Sequence, residues 1–183
     1  MMQGDNRPPG RLRAAPVEDW FHVVLVEPEI PPNTGNIGRL CAATCCPLHL
    51  VGRLGFSIDE HAVRRAGLDY WHLIRIAQHA TLADAERVIA ADGKPHRSWL
   101  FSGKAQRSYL DVAFQPGDVF VFGKESTGLD ASLLEARADT VLGIPTLGGV
   151  RSLNLANAVA IALYEALRQV GALTRATNPE ALS

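Results

Sequence analysis

Small and polar residues gather in three glycine-containing stretches, each directly after an apolar run. They are Ser102-Gly103-Lys104 after Phe101, Gly123-Lys124-Glu125-Ser126-Thr127-Gly128 after Phe122, and Leu147-Gly148-Gly149 after Ile144-Pro145. The third continues through Val150-Arg151-Ser152-Leu153-Asn154-Leu155-Ala156-Asn157 into a helical pattern. Glycine lets a main chain approach a ligand closely, and Ser152, Asn154 and Asn157 offer polar contacts or helix capping. Taken alone, that stretch serves equally well as a ligand loop or as an ordinary loop and cap. In an open α/β sheet, however, loops of this kind converge outside the carboxyl ends of the strands. Together the three could wall one pocket for a small polar ligand.

Several chemistries are excluded. Gly123-Lys124-Glu125-Ser126-Thr127 is not a P-loop, because that motif needs Gly-Lys followed at once by Ser or Thr, and a carboxylate at Glu125 would repel a triphosphate. Gly35 and Gly38 are wrongly spaced for a dinucleotide fingerprint after the first strand. No nucleophile elbow, catalytic Ser-His-Asp order or zinc pattern stands out. Cys41, Cys45 and Cys46 fall within six residues and cannot build a disulfide framework. Cys41 and Cys45, one helical turn apart, read as buried thiols in preference to a metal pair, since no further Cys or paired His stands near them.

The elements that must position these loops alternate along the chain. Phe21 to Val26 reads as a buried first strand. Asn33 or Thr34 is placed to cap a helix from about Gly35 to Cys46, stopped by Pro47, with Arg39 off its apolar face. Strands follow at Leu48 to Val51, Leu73 to Ile76, Trp99 to Phe101, Val119 to Phe122 and Thr140 to Ile144. Helices are expected at Ser57 to Ala66, Thr81 to Ala91, Ala131 to Ala136 and Leu155 to Val170, the last closing at Gly171. This alternation argues for a doubly wound, mostly parallel sheet. In the last helix Leu155, Val159, Ala162, Leu163, Ala166, Leu167 and Val170 make a stripe, and Ala156, Ala160, Ile161 and Tyr164 carry apolar character beyond it. A helix so widely apolar needs a second packing surface, which predicts a homodimer.

A chain of 183 residues suits one well-buried domain. We expect a domain over residues 21–171, a mobile tail over 1–20 and a short C-terminal tail over 172–183. No run is apolar for long enough to span a bilayer and the first twenty residues hold no secretory core, so a cytoplasmic protein with no membrane partner is expected. A net charge of −1 gives no global attraction to nucleic acid, so such a partner must meet a local basic patch.

Three blocks carry a family resemblance. Asn33-Thr34-Gly35-Asn36 with Arg39, then Phe122 through Leu129, then Ile144-Pro145 with Arg151 through Ala158 resemble the three motifs of the SPOUT RNA methyltransferases in order and spacing. Glu27 through Asn36 and Arg64 through Tyr70 are similar to one branch, the minimal enzymes that methylate the 2′-hydroxyl of the tRNA wobble nucleotide. The likeness spans residues 22 to 171.

What the resemblance implies is specific. The fold would be an α/β fold, a mostly parallel sheet flanked by helices, with a C-terminal deep trefoil knot, although chains in general avoid knots. The cofactor would be S-adenosyl-L-methionine, contacted by Phe101, Gly123, Ile144, Ser152 and Leu153, with no metal. Arg39 would act on the ribose hydroxyl from the partner subunit of a homodimer, and Asn154 would stand at the chemistry or shape it, as would Glu125. A guanidinium stays protonated, so orienting a phosphate or stabilising a developing alkoxide is physically easier for Arg39 than removing a proton. The substrate would be a tRNA anticodon stem-loop, with cytidine or carboxymethylaminomethyluridine at the wobble position. The same chemistry on another tRNA position or on ribosomal RNA, and a non-catalytic RNA-binding module, are the alternatives.

An RNA partner requires cations. Lys94, Arg97, Lys104 and Arg107 fall between Gly93 and Leu110 with no acidic residue among them, and Arg64, Arg65 and Arg151 could extend that surface. The other reading is an ordinary solvated face. Leu147-Gly148-Gly149-Val150 is small and apolar where a polar residue is expected before Arg151.

Overall fold

Four of the apolar runs become parallel strands because both of their faces are covered. A computed structural model describes residues 13–14, 21–55, 71–150, 152–173 and 176–177. The expected helix over 57–66, the turn after it, Arg64, Arg65 and Arg151 lie outside the described residues. The elements in chain order are β1 (Arg13–Ala14), β2 (His22–Val26), α1 (Pro31–Thr44), β3 (Leu48–Val51), β4 (Ile76–His79), α2 (Leu82–Ile89), β5 (Ser98–Phe101), β6 (Val119–Phe122), α3 (Ala131–Ala136), β7 (Val141–Leu142), α4 (Leu155–Gln169) and β8 (Ala176–Thr177).

Strands β2 to β7 form one sheet in the order β4-β3-β2-β6-β5-β7, with every pairing parallel. This is the doubly wound arrangement the alternation predicts. β1 and β8 pair with each other, antiparallel, in a separate two-stranded sheet. Alternate strand residues supply two cores. Val23, Leu25, Leu48, Leu50, Phe120 and Phe122 pack with Ile37 and Cys41 of α1 and with Val159, Leu163 and Leu167 of α4. Val24, Val51, Leu100, Val119 and Val121 pack with Ala85 and Ile89 of α2 and with Leu129. Each fully buried Leu, Val or Phe contributes about 1.5–3 kcal/mol, so the sheet is the main source of stability.

Some boundaries differ from expectation. Helix α1 starts at Pro31, with Ile30 at the cap position, and Asn33 and Thr34 are buried inside its first turn instead of capping it. Pro31 and Pro32 have the φ that a first turn needs and no N–H to satisfy, so the helix begins without a side-chain cap of its own. It ends at Thr44, where Cys45 turns left-handed with φ 56, ahead of Pro47. Cys41 is buried as expected, and Cys46 is buried too, but Cys45, expected to be buried, is exposed. The strand expected at Leu73 to Ile76 falls later, at Ile76–His79, after a single 3-10 turn over Trp71–Leu73. It is an edge strand, so its weak apolar pattern misplaced it. Helix α4 keeps Val159, Ala162, Leu163, Ala166 and Leu167 buried, and leaves Ile161 and Tyr164 exposed.

On the α2 side of the sheet, three histidines run across neighbouring strands. His49 Nδ1 lies 2.9 Å from His79 Nε2, and His49 Nε2 lies 3.2 Å from His22 Nδ1. Burial first, then the neighbouring His22 and His79, lower the His49 pKa to about 3, so this ring is neutral near pH 7.

Candidate active site

The carboxyl ends of β5, β6 and β7 open into a cavity of about 340 Å³. That volume suits a small-molecule cofactor. Phe101 is the last residue of β5, Gly123 follows β6, and Ile144 follows β7; Ser152 and Leu153 close the wall just before α4. All five residues assigned to the cofactor by resemblance therefore line one space. Lys104 and Glu125 line it as well. Arg39, Arg107 and Asn154 do not, and Arg65 and Arg151 lie outside the described residues.

Gly123 has no substitute. A Cβ built there would sit 2.2 Å from the Gly128 carbonyl carbon and 2.3 Å from the Leu129 nitrogen. The loop folds back on itself at that point: Lys124 N donates to Gly128 O at 3.2 Å, and Gly128 N to Lys124 O at 2.9 Å. Gly128 makes the reversal at φ +75, in the left-handed region that glycine enters without strain.

The same loop is stitched to the segment that starts α1. Glu125 accepts from Glu29 N at 2.8 Å, from Ile30 N at 3.2 Å and from Asn33 Nδ2 at 3.0 Å. Its carboxylate thus supplies at α1's N-terminus the negative group that the prolines cannot, where the helix dipole favours it. In return Glu29 Oε2 accepts from Ser126 N at 3.0 Å, and the Ser126 hydroxyl first, then this backbone N–H, hold the Glu29 carboxyl below its usual range. Lys124 pairs with Glu27 at 2.6 Å. Sequence reasoning missed these contacts, because the residues they join lie almost a hundred positions apart.

Asn154 completes the network. Its Oδ1 caps α4, accepting from Ala156 N at 2.9 Å and Asn157 N at 3.4 Å, while its Nδ2 donates to Asn33 Oδ1 at 3.0 Å. A carboxylate only accepts, so Glu125 fixes which end of the Asn33 amide faces it, and Asn33 in turn fixes Asn154. One line of directed hydrogen bonds therefore ties the β6 loop, α1 and α4 together. Arg39 sits further along α1 on its exposed side.

The basic run does not form one patch. Lys94 and Arg97 precede β5 and Lys104 follows it, so the strand, about 3.3 Å long per residue, separates them. Lys94 lies 3.6 Å from Asp92. Arg97 bonds both oxygens of the buried Asp118, at 2.8 and 2.6 Å, and lies over Trp99. Arg107 stacks on the same ring at 5.6 Å and donates to the Asp139 carbonyl at 3.2 Å. Of the four, only Lys104 reaches the cavity. Among the described residues no three His, Cys, Asp or Glu side chains are grouped to hold a metal ion.

A parallel α/β sheet with a ligand cavity walled by three strand-end loops defines the class; within it, the chain belongs to the SpoU rRNA Methylase family, whose model matches residues 20–164. Its curated relatives include a tRNA (cytidine(34)-2'-O)-methyltransferase from Acidovorax sp. (strain JS42), 47% identical over 87% of this chain and 98% of the relative. A solved structure described as giving insights into the 2-OH methylation of C/U34 on tRNA superposes with a TM-score of 0.74 at 43% identity, covering 82% of this chain and 95% of that one. The SpoU methyltransferase AviRb from Streptomyces viridochromogenes, solved in complex with AdoMet, superposes with a TM-score of 0.71 at 26% identity, covering 89% of this chain and 66% of that one.

Proposed function

We propose that this chain methylates the ribose 2′-hydroxyl of the wobble nucleotide of tRNA, cytidine or carboxymethylaminomethyluridine, using S-adenosyl-L-methionine. The observation that carries the reading is the convergence of Phe101, Gly123, Ile144, Ser152 and Leu153 on one cavity, in a chain whose full-length relatives bear that activity's name. The lining suits the cofactor: Phe101, Ile144 and Leu153 offer apolar walls to a purine, and the glycine-bearing loop offers main-chain groups at close range. S-adenosyl-L-methionine, when bound, supplies an electrophilic methyl group on a sulfonium.

The residues of the chain supply alignment and charge. Arg39 lies outside the cavity of its own chain, which fits action from the partner subunit of a homodimer. There it would orient a phosphate or stabilise the oxygen as negative charge develops. The exposed Ile161 and Tyr164 on α4 supply apolar surface for such a dimer. Asn154 and Glu125 set the distance between α1 and the cavity, and Lys104 at its wall meets the anticodon stem-loop, with Arg65, Arg107 and Arg151 as further cations for the RNA. The C-terminal segment is read as a deep trefoil knot, a reading supported by β7 lying at the sheet edge while α4 returns across to pack on β6 and α1. No described helix is long and apolar enough to cross a membrane, and action on tRNA in the cytoplasm is part of the same proposal.

The test is incubation with labelled S-adenosyl-L-methionine and unmodified total tRNA, followed by mapping of ribose methyl groups. Label at the wobble ribose is expected. Its absence there, with label elsewhere, would reassign the substrate.

A further inference from the structure

Lys124 is held twice over. Lys124 lines the cavity; its backbone is pinned by the paired bonds to Gly128, at 3.2 and 2.9 Å, and its ammonium lies 2.6 Å from Glu27 Oε2. The first restraint fixes where the side chain starts; the second is the one ion pair that holds its tip among the described residues. Both partners of that ion pair are about one-third exposed, at 34% and 37%. A pair so wetted contributes little stability and is readily exchanged for another anion. Nor do the two loops need it as a fastener, since Glu125 and Glu29 already join them through four hydrogen bonds to Glu29 N, Ile30 N, Asn33 and Ser126 N.

Glu27 nevertheless occupies its place at a cost. It has φ 49, a left-handed conformation that non-glycine residues seldom adopt. Its side chain runs so close over Gly52 that a Cβ there would lie 2.8 Å from Glu27 Cγ. Backbone strain kept beside a ligand cavity points to use, here the placing of a carboxylate against Lys124.

We propose that Lys124 is a contact to the tRNA backbone that Glu27 holds in readiness: the ammonium leaves the carboxylate for a phosphate oxygen when RNA docks at the cavity mouth. The proposal rests on the functional reading above. A flexible four-carbon stem on a fixed Cα suits this exchange, and an ammonium binds phosphate as a point charge with no demand on its orientation. Lys104, on the loop after β5, supplies a second cation at the wall of the same cavity.

The experiment uses the full chain, labelled S-adenosyl-L-methionine and an unmodified anticodon stem-loop RNA. Lys124→Ala should raise KM for the RNA about tenfold while kcat changes less than twofold. It should also flatten the log–log salt dependence of RNA binding by about 0.7, the loss of one phosphate contact to single-stranded RNA. Lys124→Arg should restore both, and Glu27→Gln, which frees the ammonium, should lower KM. Unchanged KM and salt slope in Lys124→Ala would overturn the proposal, as would a rise in KM shared equally by Glu27→Gln with a matching fall in Tm, which would make the pair a fastener. A loss of cofactor affinity equal to the rise in KM would overturn it too, placing Lys124 on the cofactor. If the wild-type chain methylates no anticodon stem-loop or whole tRNA at the wobble ribose, it is the functional reading that fails, a result seen before any variant is compared.

Discussion

Asn33 Oδ1 accepts a hydrogen bond from Asn154 Nδ2 at 3.0 Å, joining the first turn of α1 to the cap of α4 across 121 residues of sequence. Asn33 is 6% exposed, and its own Nδ2 is committed to Glu125. One buried amide therefore reads the positions of two loops at once, and both of its ends are matched to partners that cannot be exchanged.

Removing the cap should be costly but tolerable. Asn154→Ala strips two acceptor contacts from the start of α4 and leaves Asn33 Oδ1 unpaired, so a loss of about 1–2 kcal/mol is expected. Asn33→Asp should be worse, because it sets a second carboxylate against Glu125 at hydrogen-bond distance. Urea denaturation of the two variants checks the order; equal stability of Asn33→Asp and wild type would contradict the network.

Gly123→Ala adds a methyl group where the backbone of Gly128 and Leu129 already lies. The loop must open to admit it, so the cavity wall moves with it. Calorimetry should show cofactor affinity lowered at least tenfold, together with a fall in Tm. An alanine variant that binds S-adenosyl-L-methionine like the wild type would mean that the loop yields without reshaping the cavity.

Arg39→Ala should abolish methyl transfer and leave cofactor binding intact, since Arg39 stands outside the cavity formed by its own chain. If the arginine acts in the partner's site, mixing Arg39→Ala with a cofactor-deficient Gly123→Ala chain should restore part of the activity through mixed dimers. Two inactive variants that stay inactive on mixing would argue against action across subunits.

Acid should weaken the protein through His49. Its pKa is about 3 in the folded chain against 6.5 when unperturbed, so between those values the unfolded chain holds the extra proton. The stabilisation is complete above about pH 6.5 and is lost as pH falls towards 3, by at most about 1.4 kcal/mol per pH unit for one proton. The urea midpoint of the wild type should therefore drop from pH 7.5 to pH 5 by more than that of His49→Gln. The same pH dependence in both proteins would remove His49 as its source.

Much of this protein was legible in its sequence. Phe21 to Val26, Leu48 to Val51, Trp99 to Phe101 and Val119 to Phe122 declared themselves as strands, because burial on both faces demands unbroken apolar runs. The stripe from Leu155 to Leu167 declared α4, and the glycine loops after Phe101 and Phe122 marked the cavity wall, whereas in the third loop Ile144, Thr146, Ser152 and Leu153 line it and Gly148 and Gly149 do not. The start of α1 was less legible, because two prolines did the work looked for in Asn33 and Thr34. The tertiary structure alone decided what depends on partners far apart in the chain. Glu125 became the anchor of the segment that opens α1, almost a hundred residues earlier, and the cations from Lys94 to Arg107 were divided between Asp92, Asp118, Trp99 and the cavity. Composition along a segment records how that segment meets water and core. Which end of the sheet a charge reaches, and which distant backbone it satisfies, is set by strand order and register, which no local pattern encodes.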